Sequence, residues 1–150
     1  MQTFLPYSDF ISSVQCLDNK RLGKQRVECL QILKALNDHN YGWQNHPIVK
    51  MWKDYQSGLI LYGEIICAEW IKRGFNDNCL PQIRKYEKFG LFLPSWFGNE
   101  SFHLSHQSNL VRKDPEHYRK YFPNVPDNLP YQWFNPAKNI WYTTPIKSKS

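Results

Sequence analysis

The sequence predicts an all-α fold, a compact single-domain helical bundle with an extended, proline-rich C-terminal segment. Three observations predict it. The chain has 150 residues, the usual size of one domain. Its apolar positions recur at helical spacing, with almost no alternation of period two. Five prolines, Pro123, Pro126, Pro130, Pro136 and Pro145, gather in the last stretch, where they favour an extended path over a helix. Apolar residues make up 41% and aromatic residues 16% of the chain, enough for a real core. The expected division is one domain over residues 1–150, with the core in about residues 1–122 and a wrap over residues 123–150.

The elements follow in order. Residues 1–7 read as an extended lead-in, because Pro6 favours that geometry for Leu5. Ser8 or Asp9 can cap a short helix reaching about residue 14. Asp18 caps a longer helix ending near residue 37, with Leu22, Cys29, Leu33 and Leu36 as its apolar stripe. Residues 38–44 form a polar loop. Pro47 suits the first position of a helix to about residue 55. Ser57 restarts the chain in an apolar core helix stopped by Gly74. Residues 75–98 read as irregular. Asn99 caps a helix to about residue 112, and Asp114-Pro115-Glu116 starts a short one ending at Phe122.

The net charge is +6, which points to an anionic partner, nucleic acid above all. Cys16, Cys29, Cys67 and Cys79 have no Cys-x-x-Cys spacing, so free thiols in a reducing, cytoplasmic setting are expected. Met1 leads into Gln2, Thr3, Phe4, Leu5 and Pro6 rather than a secretory leader. The apolar stretch over residues 59–71 contains Glu64 and Glu69, too short and too charged to span a bilayer. No internal repeat hints at an oligomer, and a monomer is expected.

Lys20, Arg21, Lys24 and Arg26 crowd the first turns of the helix after Asp18. Cations there oppose the helix dipole, so their use is either phosphate contact or a solvated basic face. Arg26 falls close to the apolar stripe and needs a partner. Glu64 and Glu69 are candidates for a structural pair. The other reading is an arginine held toward a phosphate or a flipped base. Glu28 shares a face with Arg21 and Gln25. Ringed by cations it should stay ionised, which suits stabilising a developing cation or removing a proton from carbon. An ordinary i,i+4 pair with Lys24 is the alternative.

His103, His106 and Asn109 fall on one helix side. No further ligand set appears at zinc-site spacing, so no metal and no cofactor are expected. Phosphate or sugar contact by His103, His106, Gln107 and Asn109 stands against a core or capping role. Arg112, Lys113, Arg119 and Lys120 interleave with Tyr118, Tyr121 and Phe122, a pattern suited to backbone tracking and base stacking. Lys138, Lys147 and Lys149 could add phosphate contacts.

Two of these stretches resemble the pyrimidine-dimer DNA glycosylases of the phage endonuclease V type. One is residues 58–76, ending in Trp70-Ile71-Lys72-Arg73-Gly74-Phe75-Asn76. The other is residues 107–122, with Leu110, Lys113 and Tyr118-Arg119-Lys120-Tyr121-Phe122. The run Arg21-Leu22-Gly23-Lys24-Gln25-Arg26-Val27-Glu28, with Asn45-His46-Pro47, Met51-Trp52 and Ser105-His106-Gln107-Ser108-Asn109-Leu110, is similar to a divergent bacterial and phage branch of the same family over nearly the whole chain.

The resemblance implies an all-helical enzyme on damaged double-stranded DNA. Such an enzyme attacks the sugar C1′ with its N-terminal amine, supports the imine with a helix carboxylate, and cuts the strand by β-elimination. It requires a nucleotide out of the stack. Residue 2 is the bulky Gln2, so Met1 is expected to be retained, and the nucleophile becomes the Met1 amine or a lysine such as Lys20 or Lys24. Aligning Arg26-Val27 places Leu22 and Gly23 where the family's Arg-Glu pair stands, and Glu28 is the nearest replacement. The expected function is a DNA glycosylase with abasic-site lyase activity on damaged or modified pyrimidines. Met1, Glu28 and Arg26 are the catalytic candidates. Lys20, Arg21, Lys24, His103, His106, Asn109, Arg112, Lys113, Tyr118, Arg119 and Lys120 are the DNA-binding candidates. The competing readings are a non-catalytic binder of distorted DNA and an enzyme on a free nucleotide or modified base.

Overall fold

A computed structural model describes residues 1–146; Lys147 and Lys149 lie outside the described residues. Seven helices and one short hairpin are present among them, in the order α1 (Phe10–Gln15), α2 (Asn19–Asn37), α3 (Pro47–Trp52), α4 (Gln56–Lys72), α5 (Leu80–Ile83), α6 (Glu100–Lys113), α7 (Pro115–Tyr118), β1 (Gln132–Asn135) and β2 (Ile140–Thr143). The all-α expectation holds for the body of the chain.

The helix starts sit where side-chain oxygens can take the free amides of a first turn. Asp9 accepts from Ser12 N–H at 2.6 Å, and Asn99 from Phe102 N–H at 2.9 Å. Asp18 and Asp114 do the same for α2 and α7. The helix α4 ends before Gly74, whose φ of 95° few other residues adopt at low cost. It packs along α2 and buries Leu59, Ile60, Tyr62, Ile66 and Cys67. Trp52, Trp96, Tyr118 and Phe102 complete the core around that pair. All four cysteines are unpaired and buried. No helix among the described residues is long and apolar enough to cross a membrane.

Four elements differ from expectation, among them α7, which ends at Tyr118, short of the expected Phe122. The helix α3 stops at Trp52, because Lys53 turns extended and Asp54 takes a φ of 72° before Tyr55. A single turn, α5, forms within residues 75–98, with Pro81 in its first positions. The C-terminal segment is not extended throughout. It folds back as an antiparallel hairpin, with Gln132 opposite Thr143 and Asn135 opposite Ile140. Its reversal places Asn139 at φ 53°, a conformation asparagine tolerates. Trp133 on β1 is buried, and that apolar anchor draws the segment onto the helices.

Candidate functional site: the N-terminal segment on helix α2

Chain ends are ordinarily loose unless tied down. Here residues 2–7 are held one backbone group at a time, largely by side chains of the helical body. The Gln2 N–H donates to Glu28 Oε2 at 2.8 Å, and Gln25 Nε2 donates to Gln2 C=O at 2.5 Å. Gln25 Oε1 accepts the Phe4 N–H at 2.9 Å, so one amide holds both residues. Tyr62 O–H donates to Phe4 C=O at 2.6 Å. The Leu5 N–H donates to His106 Nδ1 at 2.9 Å, and His103 Nδ1 meets Leu5 C=O at 2.7 Å. Gln107 Nε2 donates to Pro6 C=O at 2.7 Å. The Tyr7 N–H and C=O both bond the Ser13 hydroxyl. Trp52 Nε1–H fixes the Thr3 hydroxyl at 3.1 Å.

These bonds set the histidine tautomers. Because Nδ1 of His106 accepts a hydrogen bond, its proton sits on Nε2. That nitrogen is buried and has no hydrogen-bond partner among the described residues. Burial, reinforced by His103, pushes the His106 pKa down to about 3. His103 accepts the Gly98 N–H at Nε2, so its proton sits on Nδ1; burial lowers its pKa also. Both rings therefore act as neutral clamps. The sequence expected them to touch phosphate or sugar. The structure corrects this, because the N-terminal segment covers them.

The same helix holds the C-terminal segment from its other positions. Asn109 Nδ2 donates to Leu129 C=O at 3.0 Å, and the Leu129 N–H donates to Ser108 Oγ at 3.0 Å. The Gln132 N–H donates to Ser105 Oγ at 3.1 Å. Arg112 donates to Asp127 C=O at 2.8 Å and also to Asn109. Asn109 is therefore buried beneath a backbone, and Arg112 is engaged with the wrap.

Glu28 lies on the side of α2 that faces the N-terminus. Its side chain is 12% exposed, and Lys24 Nζ is 3.7 Å from Oε1. The i,i+4 contact with Lys24 is therefore present, and the same carboxylate accepts the Gln2 N–H. The Met1 α-amine is three covalent bonds from the Gln2 nitrogen, within about 4 Å of it. Partial burial and the like charges of Arg21, Arg112 and Lys24 push Lys113 below the ordinary lysine pKa. Those four cations therefore share one neighbourhood, with Glu28 among them. Lys20 and Lys120 are exposed. Arg21 donates to its own N-cap, Asp18, at 3.2 Å.

Arg26 points elsewhere. Two residues from Glu28, it stands about 200° round the helix. Its partner is Asp77 at 2.6 Å, in place of the expected Glu64 or Glu69. Glu64 is engaged by Arg84 and Lys88, and Glu69 by Arg73. The guanidinium also lies 4.5 Å from the Trp70 ring centroid. This is a structural pairing, set apart from the N-terminus. Tyr118 is likewise corrected: it is fully buried and its hydroxyl donates to Asp18. Arg119 donates to the carbonyls of Phe122, Pro123 and Val125 and shapes the turn after α7.

Gly23 explains the missing Arg-Glu pair in physical terms. A Cβ at Gly23 would stand 2.8 Å from the Trp70 ring. That side of α2 is the packing face toward α4, so a carboxylate there would not face the chain start. Glu28 is on the side that does.

Residues 1–82 match the family model described as pyrimidine dimer DNA glycosylase. The chain belongs to that family. Its members are DNA repair glycosylases, with DNA as substrate. The matched stretch contains Met1, Gln25 and Glu28 and stops before α6. No curated protein and no solved structure matches the chain.

Sequence reasoning missed several residues that build the site. Gln25 was legible only as a neighbour of Glu28; its near-complete burial in the structure marks it as a clamp. Tyr62 left no signal of its role, since nothing local tells an aromatic that ends at a backbone carbonyl from one that fills space.

Proposed function

We propose that this chain is a DNA glycosylase with associated abasic-site lyase activity, acting as a monomer on damaged or modified pyrimidines in double-stranded DNA. The observation that carries the reading is the fixing of residues 2–7, group by group, against α2, α4 and α6. Such pre-organisation suits a chain end that must present a reacting atom.

In the proposed reaction the uncharged Met1 amine attacks C1′ of an extruded nucleotide. An α-amine is a nucleophile in its uncharged form. The C1′–N bond breaks, and its electron pair leaves with the base, which takes up a proton. Opening of the C1′–O4′ bond gives a cationic imine. Loss of a C2′ proton then expels the 3′ phosphate, which cuts the strand. Glu28 stabilises the cation and accepts protons at this centre. Lys20, Arg21, Lys24, Lys113 and Lys120 contact phosphates. The chemistry needs no cofactor.

The test is borohydride trapping on lesion-bearing and abasic duplexes, comparing the native chain with one extended by Gly-Ser before Met1. A trapped adduct is expected for the native chain and at least a hundredfold less for the extended one. Equal trapping by both would remove the amine mechanism. Absence of adduct and of strand cleavage on every duplex would remove the enzymatic reading.

A further inference from the structure

The phenols of the buried tyrosines Tyr62 and Tyr118 have evident uses. Tyr62 bonds Phe4 C=O at 2.6 Å, and Tyr118 bonds Asp18. Tyr131 differs. Its ring is fixed among Phe4 (centroids 6.5 Å apart), His106 (5.5 Å) and Trp133 (5.8 Å). Its hydroxyl makes no hydrogen bond among the described residues. Tyr131 is half-buried, and a phenylalanine would fill the same packed space, so packing does not account for its hydroxyl.

The placement of Tyr131 is also fixed. The backbone on both sides, at Leu129 and Gln132, is bonded to Ser108, Asn109 and Ser105 of α6. The helix that fixes Leu5 and Pro6 thus fixes Tyr131 as well. The phenol is within electrostatic reach of Arg112, Arg21 and Glu28, and its ring meets Phe4 of the N-terminal segment. Burial, opposed by Arg112 and Arg21, pushes its pKa up. At neutral pH it keeps its proton and can donate.

We infer that Tyr131 is a substrate-contacting residue whose hydroxyl donates a hydrogen bond to the extruded nucleotide beside Glu28. The C-terminal segment then completes a site whose amine and carboxylate come from the opposite end of the chain. The inference rests on the function proposed above, and it assigns a role to a residue beyond the family-matched stretch.

The experiment compares wild type with Tyr131→Phe, which removes one oxygen and keeps the ring. Affinity is read by fluorescence anisotropy on a duplex with a tetrahydrofuran abasic analogue and on the undamaged duplex. Single-turnover borohydride trapping is read on an abasic duplex, and Tm on both proteins. The expected result is about a tenfold loss in lesion affinity or trapping rate, with undamaged-duplex affinity and Tm unchanged. If wild type fails to trap yet Tyr131→Phe still loses lesion affinity, the contact stands and the reaction does not. Equal affinity and equal trapping for the two proteins overturn the inference. So does a loss that appears equally on undamaged DNA, or a fall in Tm that accounts for it.

Discussion

On one face of α2, Glu28 and Gln25 reach out to the first residues of the chain; on the opposite face, Arg26 and Gly23 meet Trp70 and Asp77. Both faces carry an acidic or basic side chain in partial burial. Arg26 is 12% exposed beside an Asp77 that is 2% exposed, at the distance of a strong charged hydrogen bond. Among the described residues, Glu28 has as partners a backbone amide and one loosely placed, exposed lysine. The Arg26–Asp77 pair ties α2 to the turn before α5, whereas Glu28 stands at the chain start, where a substrate could reach it. Residue type alone would have ranked Arg26 and Glu28 alike.

The comparison breaks most sharply at Glu28. Glu28→Gln keeps an oxygen to accept the Gln2 N–H but loses the charge. Trapping should fall about 10²–10⁴-fold, with Tm nearly unchanged by differential scanning fluorimetry. A variant that traps at the wild-type rate would remove Glu28 from the chemistry.

Asp77→Asn should give the opposite pattern. It strands a buried guanidinium at a cost of about 3–5 kcal/mol, read as a drop in the urea midpoint. Trapping per folded molecule should stay within about threefold of wild type, because Arg26 does not face the chain start. A specific catalytic loss with unchanged stability would return Arg26 to the site.

The smallest of these effects concerns the clamp that serves the Glu28 face. His106 is held neutral, with its pKa down at about 3 from 6.5. The unfolded chain therefore binds the proton first as pH falls. The stability this group contributes is present above about pH 6.5 and is lost progressively down to about pH 3. Between pH 7 and pH 5 the loss is about 2 kcal/mol, or about 4–8 °C in Tm for a domain of this size. His106→Gln should flatten the Tm profile across that window. An equally steep profile in the variant would assign the acid sensitivity elsewhere.

The parts of the fold legible in the sequence are those written in local chemistry. Asp9, Asp18, Asn99 and Asp114 announce helix starts through side-chain oxygens that bond amides three residues on. The hairpin was hidden because its strands are four residues long and Pro136 directly follows the first. Helical spacing put His103 and His106 on one side correctly, but spacing cannot tell which surface something else will cover. The N-terminal segment that covers them is about a hundred residues away in the chain. Tyr131 was out of reach for the same reason: it joins the site through contacts with Phe4 and His106 that no local pattern encodes.

The contact between Gly23 and the Trp70 ring sets a boundary on how such sites can change by mutation. A glutamate installed at Gly23 would begin its side chain inside the indole, at 2.8 Å. That ring also anchors Asn76 C=O and stacks on Phe75 at 4.2 Å, so it cannot swing aside alone. A side chain at position 23 and the indole at position 70 therefore compete for the same space in this packing. Bringing a carboxylate to position 23 calls for a change at Trp70 on the neighbouring helix as well.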